Sequence, residues 1–222
     1  MGLPENQRDL PKQEVHVWKI GLDVSELTLH GFRATLCVEE LRRAERFRFP
    51  DLRRRFIAGR GALRQILAKY LRIDPQQLKF SYNPYGKPSL FDSSSGLQFN
   101  VSHSNDLMVV AICRGWPIGV DIEKEDLRFH AMDIAARFFC ERERIEIERA
   151  GVRAFFQFWT AKEAVLKASS LGLALELSKL EIALSPLRIV ALEDAAKING
   201  ESWHLTAFSP AEGYSGALAV PR

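Results

Sequence analysis

The sequence has no apolar run approaching the ~18–20 residues needed to cross a bilayer, so no membrane partner is expected. It has only three cysteines, Cys37, Cys113 and Cys140, far apart and with no CxxC or nearby histidine pair. That argues against a disulfide framework and against zinc. Reduced thiols in the cytoplasm are the expectation. With only 10 prolines, and with 27% charged and 46% hydrophobic residues, the chain does not have the composition of a disordered one. The GxSxG elbow, the P-loop and GxGxxG are all missing, which removes the usual signals of an α/β-hydrolase, a P-loop NTPase and a dinucleotide-binding fold. The opening MGLPENQRDLPKQE matches neither a signal nor a transit peptide. Asn6 breaks the myristoylation pattern after Gly2. Residues 1–14 are expected to form a polar, disordered tail.

The chain of 222 residues is long enough for two lobes of about 100 residues each. Its net charge of +3 is unevenly spread. Nine arginines fall between Arg42 and Arg64, against two acids, Glu45 and Asp51. Arginine forks suit phosphates, although a solvated helix face would look the same.

Periodicity predicts a strand at EVHVWKIGLDV (14–24), a helix at VEELRRAERF (38–47), a break at Pro50 and a longer helix over 51–71. LKFSY reads as a strand. NPYGKP is a loop that exposes Lys87, and DSSSG is a turn. LQFNVSHS, LMVVAICR and PIGVDIEKE read as strands. Helical patterning covers roughly 130–150 and again VRAFFQFWTAKEAVLKASSLG, with Gly172 as its stop. Three further strands are expected at LSKLEIALS, SWHLTAFSP and YSGALAVP.

A slide of 103 residues lays VHVWKI on IGVDIE, and FIAGRGALR on WTAKEAVLK. Strand then long helix therefore recurs at one offset, which implies two related α+β lobes packed together. The same slide places Arg60 on Glu163 and Arg64 on Lys167. A site between the lobes would then have cations on one side and a carboxylate on the other.

In IGVDIEKE, Asp121 and Glu123 are two apart on a strand and share a face, while Val120 and Ile122 point the other way. Two close carboxylates repel one another. A hard divalent cation relieves that, and oxygen-only ligands favour magnesium or manganese over zinc. An edge strand with a solvated acidic face would read alike. Glu163 in FWTAKEAVLK could supply a third carboxylate, with Lys162 and Lys167 beside phosphate oxygens. The simpler alternative is an i,i+4 ion pair with Lys167 worth a few tenths of a kcal/mol. His103, among the hydroxyls of NVSHS, could donate to a phosphate, and a structural histidine is the plainer alternative.

YGKP, FNVSHS, IGVDIE and FWTAKEAVLK stand in one order at 85–88, 99–104, 118–123 and 158–167. This combination resembles the 4′-phosphopantetheinyl transferases, in particular their longer monomeric two-lobed class, over nearly the whole chain. The resemblance implies an α+β fold of two lobes, 15–112 and 113–222, related by a pseudo-twofold with the active site at their interface. It implies transfer of the phosphopantetheine arm of coenzyme A to a serine of an apo acyl or peptidyl carrier protein, with adenosine 3′,5′-bisphosphate released. Carried over by motif, Asp121, Glu123 and Glu163 would hold magnesium. Glu163 would also be the candidate base. Lys167 and His103 would contact the pyrophosphate, with Ser102 and Lys162 at the coenzyme as well. Lys87 and Arg55, chosen from three consecutive arginines at 53–55, would reach the adenosine end, with Arg60 a further candidate. Leu127, Phe129 and Met132 lie where the carrier would dock, unless they are core.

Three rivals remain open on sequence. A magnesium-dependent phosphohydrolase could use the same acids. A nucleic-acid binder could use the arginines but leaves the acids unexplained. A catalytically dead relative is the third.

Overall fold

The computed structural model describes residues 10–11, 14–169, 176–192 and 203–222. Most of the expected tail, and Gly172 as a helix stop, lie outside the described residues.

The first lobe runs β1 (His16–Gly21), α1 (Glu26–Arg33), α2 (Val38–Glu45), α3 (Pro50–Leu71), a 3₁₀ turn (Pro75–Gln77), the hairpin β2 (Phe80–Tyr82) and β3 (Pro88–Leu90), then β4 (Leu97–Ser104) and β5 (Leu107–Arg114). The second runs β6 (Gly119–Lys124), α4 (Ala131–Phe138), α5 (Glu141–Ala150), α6 (Val152–Ser169), a 3₁₀ turn (Leu177–Lys179), the hairpin β7 (Leu180–Leu184) and β8 (Leu187–Leu192), then β9 (Trp203–Phe208) and β10 (Tyr214–Pro221). Element for element, the order repeats. So does the sheet order: β1-β5-β4 in one lobe and β6-β10-β9 in the other, with each lobe's first strand pairing antiparallel to its last. Shared order shows an α+β fold of two like-built halves. A twofold axis does not follow from order alone.

The repeat extends to a buried ion pair. In the first lobe, Glu40 of α2 accepts the Cys37 N–H at 3.0 Å and Arg64 Nε at 2.7 Å, and Arg64 also donates to the carbonyls of Pro75 and Leu78. In the second, Glu143 of α5 accepts the Cys140 N–H at 3.0 Å and meets Lys162 Nζ at 2.7 Å, and Lys162 also donates to the carbonyls of Leu177 and Leu180. The 103-residue offset therefore holds for the first strands and for Cys37/Cys140 and Glu40/Glu143. It slips on the long helices, where shared contacts match Arg64 to Lys162 rather than to Lys167, a correction to the expected register.

Several boundaries differ from the sequence reading. α1 was not expected, because ELTLHGFR mixes a glycine, a β-branched residue and a histidine. Ser25 caps it, accepting the Thr28 N–H. The single helical stretch near 130–150 is two helices, broken at Phe139 and Cys140, where Glu143 caps α5. β5 runs to Arg114, two residues past the lobe division expected at 112. Pro50 does not interrupt the basic segment so much as start α3, at a position where its missing N–H costs nothing.

β5 explains how the halves join. Met108, Val110 and Ile112 face the first lobe's core, while Leu107, Val109, Ala111 and Cys113 pack against Ile118, Val120 and Ile122 of the second. A strand buried on both faces needs the unbroken apolar run that LMVVAIC supplies.

Candidate functional site

β4 lies beside β6, linked to it by side chains. Asn100 Oδ1 accepts the Val120 N–H at 2.9 Å, Ser102 Oγ the Ile122 N–H at 3.2 Å, and Ser104 Oγ the Lys124 N–H at 3.0 Å. Alternation along a strand puts 100, 102 and 104 on one face, so three short polar side chains stand in for a backbone ladder. The two serines then turn their own protons outward. Ser102 donates to Asp121 Oδ1 at 2.8 Å and Ser104 to Glu123 Oε2 at 2.7 Å. The seam between the lobes thus aims the two carboxylates.

α6 completes the site from above. Ala161, Ala164 and Ala168 are all buried, and Gly119 lets β6 come close: a Cβ there would run into the Ala164 carbonyl and lie 2.5 Å from Ala168 N. This approach carries Lys167 Nζ to 2.6 Å from Asp121 Oδ1 and 3.2 Å from Ser102 Oγ. Ser102, His103, Asp121, Glu123, Trp159, Glu163 and Lys167 line one cavity of about 300 Å³. Six of the residues expected on sequence are therefore together.

Burial pushes the Asp121 carboxyl above the usual carboxylate range, against the pull of Lys167. Burial raises Glu163 too, helped by the charge of Asp121, and raises Glu123 against the Ser104 hydrogen bond. Beyond burial, the charge of Asp121 raises both Glu123 and Glu163, which marks a cluster short of positive charge.

Among the described residues, no three His, Cys, Asp or Glu side chains are gathered tightly enough to form a ready metal cage. The donor set nevertheless suits a hard cation. All three groups offer oxygen, and Asp121 Oδ2 is buried with no hydrogen-bond partner. A buried carboxylate oxygen without a donor is costly unless something cationic meets it.

Two further cavities share Val101 with the first. One, of about 480 Å³, is lined by the Asn83–Pro88 loop, Asn100, Glu163 and Lys167. Lys87 reaches across there to the Lys167 carbonyl, and burial lowers its pKa to about 8. The other, of about 350 Å³, holds Arg43, Arg55, Arg60 and Tyr82 and meets the first at His103. Arg55 and Arg60 are thus near the site but already engaged. Arg55 grips both oxygens of Asp23 at 2.7 and 2.9 Å, and Arg60 holds Glu40 and Tyr82.

Lys162 does not reach any of these cavities. It is fully buried on the far side of α6, a correction to its expected place at the coenzyme. Ser104 and Asn100 were missed, although polar residues at 100, 102 and 104 of an otherwise apolar strand were a legible signal. Leu127, Phe129 and Met132 are exposed rather than core, with Phe129 leaning on Phe155 at 5.2 Å between ring centroids.

Comparison with known proteins agrees with this geometry. Residues 117–219 match the 4'-phosphopantetheinyl transferase superfamily, and residues 25–114 match the N-terminal family of 4'-phosphopantetheinyl transferases. The chain is 42% identical over 217 residues to the 4'-phosphopantetheinyl transferase HetI of Nostoc sp., covering 95% of this chain and 89% of that protein. It is 28% identical to the 4'-phosphopantetheinyl transferase Sfp of Bacillus subtilis, over 73% of this chain and 72% of that one. Among solved structures, Helicobacter pylori holo-[acyl-carrier-protein] synthase in complex with coenzyme A aligns with 47% of this chain and 99% of its own. At 21% identity and a TM-score of 0.40, that match is too loose to argue from. The chain belongs to the 4'-phosphopantetheinyl transferase superfamily, and it is an enzyme of that class.

Proposed function

We propose that the enzyme moves the 4′-phosphopantetheine arm of coenzyme A onto a serine hydroxyl of an apo acyl or peptidyl carrier protein. Adenosine 3′,5′-bisphosphate leaves, and magnesium or manganese is required. The observation that supports this best is the convergence of Asp121, Glu123, Glu163, Lys167 and His103 on one cavity, with a buried carboxylate oxygen still lacking a partner.

Asp121, Glu123 and Glu163 would hold the cation. When bound, it neutralises pyrophosphate charge and stabilises the leaving phosphate. Glu163 takes the proton of the attacking serine, directly or through water. The serine oxygen bonds to the β-phosphorus as the bond to the bridging oxygen breaks. Lys167 and His103 hold phosphate oxygens, and Ser102 keeps Asp121 and Lys167 in register. Lys87, Arg55 and Arg60 take the adenosine end from the two adjoining cavities, Arg55 sharing its fork with Asp23.

The carrier docks over the exposed Leu127, Phe129 and Met132. A monomer is part of this reading, with the two like-built halves of the chain supplying the two sides of the site. The three free cysteines suit the cytoplasm. Nucleic acid is not a partner in this reading. Of the nine arginines, Arg54 and Arg64 are paired with Glu26 and Glu40, and this reading gives Arg55 and Arg60 to the coenzyme.

Intact mass of an apo carrier after incubation with enzyme, coenzyme A and magnesium tests the reaction. A metal-dependent gain of one phosphopantetheine arm is expected. Consumption of coenzyme A with no gain on several unrelated carriers would replace this reading with a phosphohydrolase.

A further inference from the structure

Lys162 stands next to Glu163 in sequence, yet takes no part in the cavity. Its three N–H donors all have partners: Glu143 Oε2 at 2.7 Å, the Leu177 carbonyl at 2.7 Å and the Leu180 carbonyl at 2.6 Å. None remains for a phosphate. Glu143 is equally committed. Besides Lys162, it accepts the Cys140 N–H at 3.0 Å and the Ile182 N–H at 2.8 Å. One carboxylate and one ammonium therefore tie α5, α6, the 3₁₀ turn and β7 together.

Successive residues on an α-helix point about 100° apart. Fixing the direction of Lys162 therefore fixes that of Glu163. Elsewhere α6 packs Phe155, Phe158, Val165 and Leu166 into the core and sets Ala164 and Ala168 over Gly119 of β6, and apolar packing has no direction. Charge-assisted hydrogen bonds do have direction. The first lobe offers an independent comparison. There Arg64 and Glu40 make the same bonds between a long helix, a short helix and a 3₁₀ turn, and the neighbour of Arg64 is Gln65. The device thus belongs to the setting of a helix.

We infer that Lys162 and Glu143 act as a positioning pair. Held by Glu143, Lys162 sets the rotation of α6 so that Glu163 faces Asp121 and Glu123 across the cavity. This deepens the proposed reaction and rests on it.

The test is a double-mutant cycle on the full chain with Lys162→Met, Glu143→Leu and both together. It reads kcat, KM for coenzyme A, and Mn2+ affinity by titration without turnover. The wild type is the control. If wild type transfers no arm, it is the functional reading that fails. Each single change is expected to lower kcat about 10²-fold, the cost of a small misplacement of a reacting group, and to weaken Mn2+. The double variant should lose no more than the worse single one, with the fall in kcat larger than any rise in KM, which the movement of Lys167 on the same helix would bring. Lys162→Arg, which installs the cation that the first lobe uses, should recover most of kcat. A raised KM with kcat unchanged would make Lys162 a coenzyme ligand and overturn the inference. Multiplying effects, or a wild-type kcat in any folded variant other than Lys162→Arg, would overturn it too. If the singles fail to fold, the double variant removes both buried charges and is read alone: a fall in kcat larger than any rise in KM supports the pair, and a wild-type kcat, or a raised KM with kcat unchanged, sinks it.

Discussion

Lys167 Nζ sits 2.6 Å from Asp121 Oδ1, while the other oxygen of the same carboxylate is buried and has no partner. One ammonium is thus the counter-charge for an acid that two more acids crowd. Lys167→Met leaves Asp121 buried with its charge unmet. Removing one partner of a buried pair costs about 3–5 kcal/mol. Lys167 is partly exposed, so about 2–3 kcal/mol is expected here, as a lower urea midpoint without divalent metal. Added magnesium should restore much of the loss. A loss that magnesium leaves untouched would mean that the acids do not hold the cation.

Ser104 gives a second, finer test. Its hydroxyl donates to Glu123 at 2.7 Å and accepts the Lys124 N–H at 3.0 Å. Ser104→Ala strands both groups, at about 1–2 kcal/mol. It should also raise the magnesium concentration needed for half-maximal rate, because Glu123 is no longer aimed. Ser104→Thr keeps the hydroxyl and should keep both properties. Metal titrations of the three proteins, beside their thermal midpoints, decide it. An unchanged metal requirement in Ser104→Ala would reduce the seam to a structural role.

Much of this site was legible before any coordinates. Alternation in IGVDIE put Asp121 and Glu123 on one face, and helical spacing put Glu163 and Lys167 one turn apart. Lys162 was misplaced, because adjacency in sequence says nothing about which way a helical neighbour points. The tie that turns it inward comes from Glu143, 19 residues earlier, and from carbonyls that follow the helix. The echo between the halves was real in element order, yet its register slipped on the long helices. Contacts define that register, and side-chain identity in FIAGRGALR does not. α1 was invisible because its propensity is weak and its stability comes from packing against α3, where Gly61 clears space for Phe32.

Lys87 makes the pH dependence testable. Burial lowers its pKa from an ordinary 10.5 to about 8. Below about 8 it is charged in both folded and unfolded chains. Between about 8 and 10.5 the unfolded chain binds the extra proton, so stability rises with pH across that window. Coenzyme binding runs the other way, since a phosphate needs the ammonium. The expected profile is a fall in kcat/KM for coenzyme A as pH rises through about 8, mostly in KM. Lys87→Ala should have lower kcat/KM throughout and lack that limb. If the alkaline limb persists in Lys87→Ala, another group titrates there and Lys87 does not bind the coenzyme.

Gly119 links the fold to the chemistry most directly. It opens β6, and its missing side chain is what lets α6 lie against the strand. A Cβ there would collide with the Ala164 carbonyl and approach Ala168 N to 2.5 Å. Both are backbone atoms of a buried helix turn, so no side-chain rotation can relieve the clash. Gly119→Ala must move α6 outward or shift β6. Overpacking of this kind costs about 1–3 kcal/mol, which a two-lobed chain with this much core survives. The catalytic effect should be larger. The displaced turn is the one between Glu163 and Lys167, so both move relative to Asp121. About a 10²-fold fall in kcat is expected for a displacement near 1 Å, with KM for coenzyme A raised as Lys167 leaves the pyrophosphate. Circular dichroism and a thermal melt establish folding, and steady-state transfer to an apo carrier gives kcat and KM. A folded Gly119→Ala enzyme with normal kcat would show that the distance between β6 and α6 does not set the rate, and would withdraw Glu163 from the reacting atoms.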